Sequence, residues 1–81
     1  MKTIVMSPAA AKVFDGLPTA AQQQITMGLD LYVLHGIGDI KRLQGRSSFR
    51  LRIGRYRVLF DEDQITILVI QVGKRETTTY R

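Results

Sequence analysis

The sequence predicts an α+β fold, with a two-helix hairpin packed on one face of a small, mostly antiparallel sheet. Three observations carry this. Apolar residues recur at helical spacing up to Leu34, then alternate one-in-two from Phe49 onward. Ile65 to Val72 is nearly all apolar and β-branched, as a central strand covered on both faces would be. A chain of 81 residues has room for one core only, so residues 1–81 are expected to form a single domain. The expected order is β-α-α-β-β-β.

Lys2 to Met6 reads as a short first strand with Ile4 and Met6 on one face. Ser7-Pro8 is a helix start, because Ser caps well and Pro at the first position lacks only an N–H that would be orphaned. Val13, Phe14 and Leu17 supply an apolar stripe to this helix, and Asp15-Gly16 ends it. Pro18 opens a second helix to about Leu34, with Ile25, Leu29, Tyr32 and Val33 at helical spacing and Gly36 and Gly38 as its stop. Phe49, Leu51 and Ile53 alternate with Arg50 and Arg52 as in a half-buried strand. Gly54-Arg55 is a tight turn, and Tyr56, Val58 and Phe60 form the return strand. Asp61 to Gln64 reads as a polar turn before the last strand, which Gly73 breaks.

Composition narrows the classes. No apolar run approaches the roughly 18 residues of a membrane span, and Met1 to Met6 is not a signal peptide, so a cytoplasmic address is expected. There is no cysteine, hence no disulfide or thiolate metal site. The net charge of +5 is unevenly placed. Residues 1–40 carry Lys2 and Lys12 against Asp15, Asp30 and Asp39, whereas no acid interrupts the seven basic residues between Lys41 and Phe60. Such one-sided charge favours a polyanionic partner.

Alternation aims that charge. If Phe49, Leu51 and Ile53 face the helices, Arg50 and Arg52 face away, and Arg57 joins them from the next strand. Clustered guanidiniums repel one another, and phosphate oxygens, which match the guanidinium fork bidentately, supply the counter-charge. Lys74 and Arg75, at the end of the last strand, and Tyr80 beyond them are placed to converge on the same face. His35, at a helix C-terminus favoured by the dipole, is read as structural. Asp61, Glu62 and Asp63 are read as a solvated turn rather than a metal site, and Gly36-Ile37-Gly38 lacks the context of a phosphate loop.

The run Phe49-Arg50-Leu51-Arg52-Ile53-Gly54-Arg55-Tyr56-Arg57-Val58-Leu59-Phe60 and the run Val69-Ile70-Gln71-Val72-Gly73-Lys74-Arg75-Glu76 together resemble the RelE/ParE toxin superfamily, as does Leu43-Gln44-Gly45 before them. The resemblance spans essentially the whole chain and implies a toxin of a type II toxin–antitoxin system. RelE-like members cut mRNA in the ribosomal A site; ParE-like members poison DNA gyrase. The Gly-Lys-Arg-Glu ending followed by a nearby Tyr looks more like RelE. By that resemblance Arg52, Arg57, Arg75 and Tyr80 are catalytic, and Arg50, Arg46 and Lys74 bind substrate. Arg57 would steady the scissile phosphate, Arg75 would protonate the leaving oxygen, and Tyr80 would stack on the substrate or help activate its 2′-hydroxyl. No metal or cofactor is implied. The implied partners are the ribosome, mRNA and an acidic antitoxin in a hetero-oligomer, with Asp or Glu laid near Arg52 and Arg57.

Two departures bear on mechanism. Arg50 and Arg52 stand where RelE usually has lysines, and arginine is a poor general base. The spacing from Arg75 to Tyr80 is one residue shorter than in the best-known members. A plain RNA-binding module is the third reading, disfavoured because exposed strand positions carry arginines rather than stacking aromatics.

Overall fold

A computed structural model describes residues 2–44 and 48–74. Its elements are β1 (Thr3–Met6), α1 (Pro8–Asp15), α2 (Thr19–His35), β2 (Asp39–Arg42), β3 (Ser48–Ile53), β4 (Tyr56–Glu62) and β5 (Thr66–Lys74). The five strands form one sheet in the order β1-β5-β4-β3-β2, antiparallel except for β1 beside β5. Both helices lie on one face, α1 against β5 and β1 and α2 against β3. The expected α+β architecture is present, with β2 as a strand beyond those read from the sequence.

Local chemistry sets the helix ends. Ser7 Oγ accepts the Ala10 N–H at 3.1 Å and Pro8 opens α1. Gly36 closes α2 at φ 68°, where its N–H and that of Ile37 take the Tyr32 and Leu31 carbonyls. The apolar stripe of α1 differs from expectation. Ala10, Phe14 and Leu17, at i, i+4 and i+7, turn inward, which leaves Val13 47% exposed. Gly54 sits at φ 58° in the two-residue turn between β3 and β4, as a hairpin with glycine at its first central position requires.

The core lies between sheet and helices. Ile25, Val58, Phe60, Ile67 and Val69 are fully buried, with Leu29 and Leu51 almost so. Phe60 packs between the rings of Tyr32 (5.5 Å) and Phe49 (5.7 Å). Gly28 allows α2 to settle on β3, since a Cβ there would lie 2.7 Å from the Ile53 side chain. At the rim, Glu62 takes hydrogen bonds from Lys2 Nζ and, at 2.7 Å, from Tyr32 Oη.

Three details of the strands depart from the sequence reading. Asp61 and Glu62 belong to β4, and the turn is tighter, with Asp63 Oδ1 accepting the Ile65 and Thr66 N–H groups at 2.9 and 2.7 Å. Gly73 does not break β5, which runs on to Lys74 with Gly73 paired to Arg57. Nor is β5 covered on both faces. A bulge sets Leu59 opposite Gln71 and Phe60 opposite Val69, so Ile70 is the extra residue. Ile67, Val69 and Val72 turn to the core, while Leu68 and Gln71 point to the face without helices.

Candidate nucleic-acid interface

Strand register arranges the helix-free face in three rows. Asp39, Arg52, Arg57 and Gly73 are successive partners across β2, β3, β4 and β5. Lys41, Arg50, Leu59 and Gln71 form the next row. Ser48, Asp61, Leu68 and Val5 form the third, from β3 to β1. Arg52 and Arg57 are direct cross-strand partners, as the alternation required.

The first two rows enclose a concavity of about 320 Å³ lined by Leu43, Arg50, Arg57, Leu59, Gln71 and Gly73. Gly73 keeps its floor open; a Cβ there would meet nothing within 4 Å. The Nε atoms of Arg50 and Arg52 are both buried and have no hydrogen-bond acceptor among the described residues. Each such orphaned donor costs about 1–3 kcal/mol until an acceptor arrives. Asp39 is the one carboxylate in ion-pair contact with an arginine of this face among the described residues, at 3.6 Å from Arg52 Nη1. Both partners are substantially exposed, so the pair contributes at most about 1 kcal/mol. The arrangement is a set of guanidinium groups on one sheet face, short of acceptors among the described residues. Phosphate oxygens fit it.

Of the residues picked out from the sequence, Arg50, Arg52 and Arg57 come together here. Lys74 does not join them: it pairs with Tyr56, in the alternation row that faces the helices, with its own side chain exposed. The positions of Arg46, Arg75 and Tyr80 lie outside the described residues. His35 is the last residue of α2, on the helical side of the sheet. Sequence reasoning missed Asp39 and Lys41 as members of the face, because a four-residue, fully exposed edge strand leaves almost no periodic signal. It also missed Gln71, which only the bulge turns outward.

No protein-family model matches the sequence, and no curated protein does. Solved structures do share its fold. The isolated RelE toxin of E. coli superposes with a TM-score of 0.77 at 19% identity, covering 96% of this chain and 88% of that one. A chain of the archaeal RelE–RelB complex from Pyrococcus horikoshii OT3 gives 0.77 at 19% identity, covering 95% and 98%. The YoeB dimer from Staphylococcus aureus gives 0.72 at 21% identity, covering 93% and 97%. At such identities the likeness is one of architecture: this chain has the fold of the RelE and YoeB toxins.

Proposed function

We propose that this chain is the toxin of a type II toxin–antitoxin pair and an endoribonuclease that cuts mRNA on the ribosome. The observation that carries the reading is the pair of buried Nε donors of Arg50 and Arg52, without an acceptor among the described residues, with Arg57 directly opposite Arg52. The fold shared with RelE and YoeB adds support.

In this reading a ribose 2′-hydroxyl attacks the adjacent phosphorus, the bond to the 5′-oxygen breaks, and a 2′,3′-cyclic phosphate and a 5′-hydroxyl end result. Arg50 and Arg52 hold backbone phosphate, and Arg57 stabilises the charge that builds on the scissile phosphate. Arg75 stabilises the charge on the leaving oxygen, which takes its proton from solvent, and Tyr80 stacks on the substrate or helps activate its 2′-hydroxyl, whose proton passes to solvent. Arginines cannot take the proton from the 2′-hydroxyl, so they act electrostatically, which is usually the greater part of an enzyme's rate enhancement. Solved relatives in fold are complexes of RelE with RelB and of YoeB with YefM. The matching partner here is an acidic antitoxin whose carboxylates cover Arg52 and Arg57. The site of action is the cytoplasm, where the ribosomes are.

Induction of the chain in cells, with translation and plasmid supercoiling followed in parallel, tests this. Translation should fail first and mRNA should accumulate 5′-hydroxyl ends, with both effects lost in Arg57→Ala. Loss of supercoiling before any fall in translation would favour the gyrase-poisoning alternative and overturn the nuclease reading.

A further inference from the structure

Among the described residues nothing covers the apolar side chains of β5 on the helix-free face. Leu68 lies there 36% exposed and its parallel neighbour Val5 44% exposed, although a solvated strand face would carry polar residues. Together with Asp61, Thr66 and the neighbouring turn they line a second concavity of about 280 Å³. Register places it on the same face as the arginine concavity. Asp61 is two residues along β4 from Leu59 and four from Arg57, about 13 Å at the usual strand rise.

Of the carboxylates beside this second concavity, two are committed elsewhere. Glu62 is tied to Lys2 and Tyr32, and Asp63 Oδ1 caps the turn. Asp61 is different. Its Oδ1 accepts a hydrogen bond of 2.6 Å from Ser48 Oγ, which orients the carboxylate but leaves lone pairs on both oxygens. A phosphate is repelled here. A group reaching this concavity from a phosphate bound at the arginines must therefore be neutral, flat and rich in donors. A nucleobase satisfies this, with its ring on Val5 and Leu68 and its edge toward Asp61.

The donor pattern selects among bases. A carboxylate presents two adjacent acceptors. Adenine and cytosine place a ring-nitrogen acceptor beside their amino group, and uracil flanks its one N–H with two carbonyls. Guanine alone offers two donors side by side, N1–H and N2–H.

We propose that the Val5–Leu68–Asp61 concavity is a guanine-selective base subsite for the RNA whose backbone lies on Arg50, Arg52 and Arg57. This rests on the RNA-binding reading of the arginine face. The test measures binding of the full chain to short single-stranded RNAs by fluorescence anisotropy. The oligonucleotides are adenine throughout except for one central guanine, inosine or adenine, so the unaltered protein reads out the subsite. Guanine should bind roughly tenfold or more tighter than adenine, with inosine, which lacks the N2 amino group, between them. Asp61→Asn, checked by thermal melt, should bring the guanine-to-adenine ratio to near unity. Equal binding of all three oligonucleotides to the unaltered protein overturns the subsite while leaving the arginine face as an RNA site. The same holds for a ratio unchanged in a folded Asp61→Asn protein. Failure to bind any oligonucleotide overturns the RNA reading of the face, and the subsite with it.

Discussion

The two faces of this sheet are built from the same strands yet obey different physics. On β3, Leu51 is 1% exposed beneath the helices, while its neighbours Arg50 and Arg52 stand on the helix-free face with buried donors that find no acceptor among the described residues. On the helix-side face the strand side chains are covered, and at the rim Glu62 is satisfied by Lys2 and Tyr32. The helix-free face is unfinished in two respects, since it gathers like charges and leaves Val5 and Leu68 bare. One face of the sheet carries the core, and the other carries the arginines. Stability and function should therefore separate cleanly between adjacent residues.

The largest effect tests that separation directly. Leu51→Ala should lower unfolding free energy by about 2–5 kcal/mol, the range for truncating a buried leucine. Arg50→Ala should leave stability unchanged or raise it, because it removes an orphaned donor, and Arg52→Ala, which also removes the exposed pair with Asp39, should cost no more than about 1 kcal/mol. Urea unfolding of the three proteins, set against growth arrest in cells, measures both sides. A large loss of stability in either arginine variant would mean that the faces are not independent.

Gly73→Phe sharpens the comparison from the other direction. The position has open space for a side chain and no positive φ, so the fold should be kept to within about 0.5 kcal/mol. The ring would fill the arginine concavity, and RNA affinity should fall about tenfold or more, about 1.4 kcal/mol. Full affinity in the folded variant would place the backbone path elsewhere.

The helix-side rim carries a pH signature. Burial would raise the Glu62 carboxyl, but hydrogen bonds from Lys2 and Tyr32 and the Lys2 charge outweigh it and hold the group below its ordinary 4.5. Burial, and then the bond and charge of Glu62, push the Tyr32 hydroxyl up to about 12. A carboxyl depressed in the folded state stabilises above its unfolded pKa, and that stability is lost as pH falls through the folded value. Melting temperature should therefore drop on acidification below about pH 4.5, and the drop should be shallower in Glu62→Gln. Identical acid profiles would remove the rim from the account of stability.

The smallest expected effect is at Asp39. Its exposed pair with Arg52 should contribute less than about 1 kcal/mol. Asp39→Asn should leave stability nearly unchanged and raise RNA affinity a few-fold at low salt, the gain fading as salt screens the freed guanidinium. A gain that persists in high salt would point to a contact other than charge.

This asymmetry explains what could be read from the sequence. Alternation in Phe49 to Phe60 carries the burial pattern and the arginine stripe together, because a period of two assigns a face to each residue. Capping by Ser7 and Gly36 is equally local. What escaped is non-local. The bulge at Ile70 depends on how β4 meets β5, and β2 is a strand only because β3 lies beside it. The Val5–Leu68 patch was invisible for a related reason: an apolar run reads as burial whether a helix or a ligand covers it.

The position of β5 has a consequence for how the protein comes into being. It lies between β1 and β4, and its parallel partner β1 is more than sixty residues earlier in the chain, with Thr3 paired to Thr66. A pairing of such long range closes late. While β5 is still being synthesised, the nascent chain has its helices but neither the strand that carries Ile67, Val69 and Val72 nor the floor supplied by Gln71 and Gly73. The arginine groove therefore takes shape only after translation has passed β5.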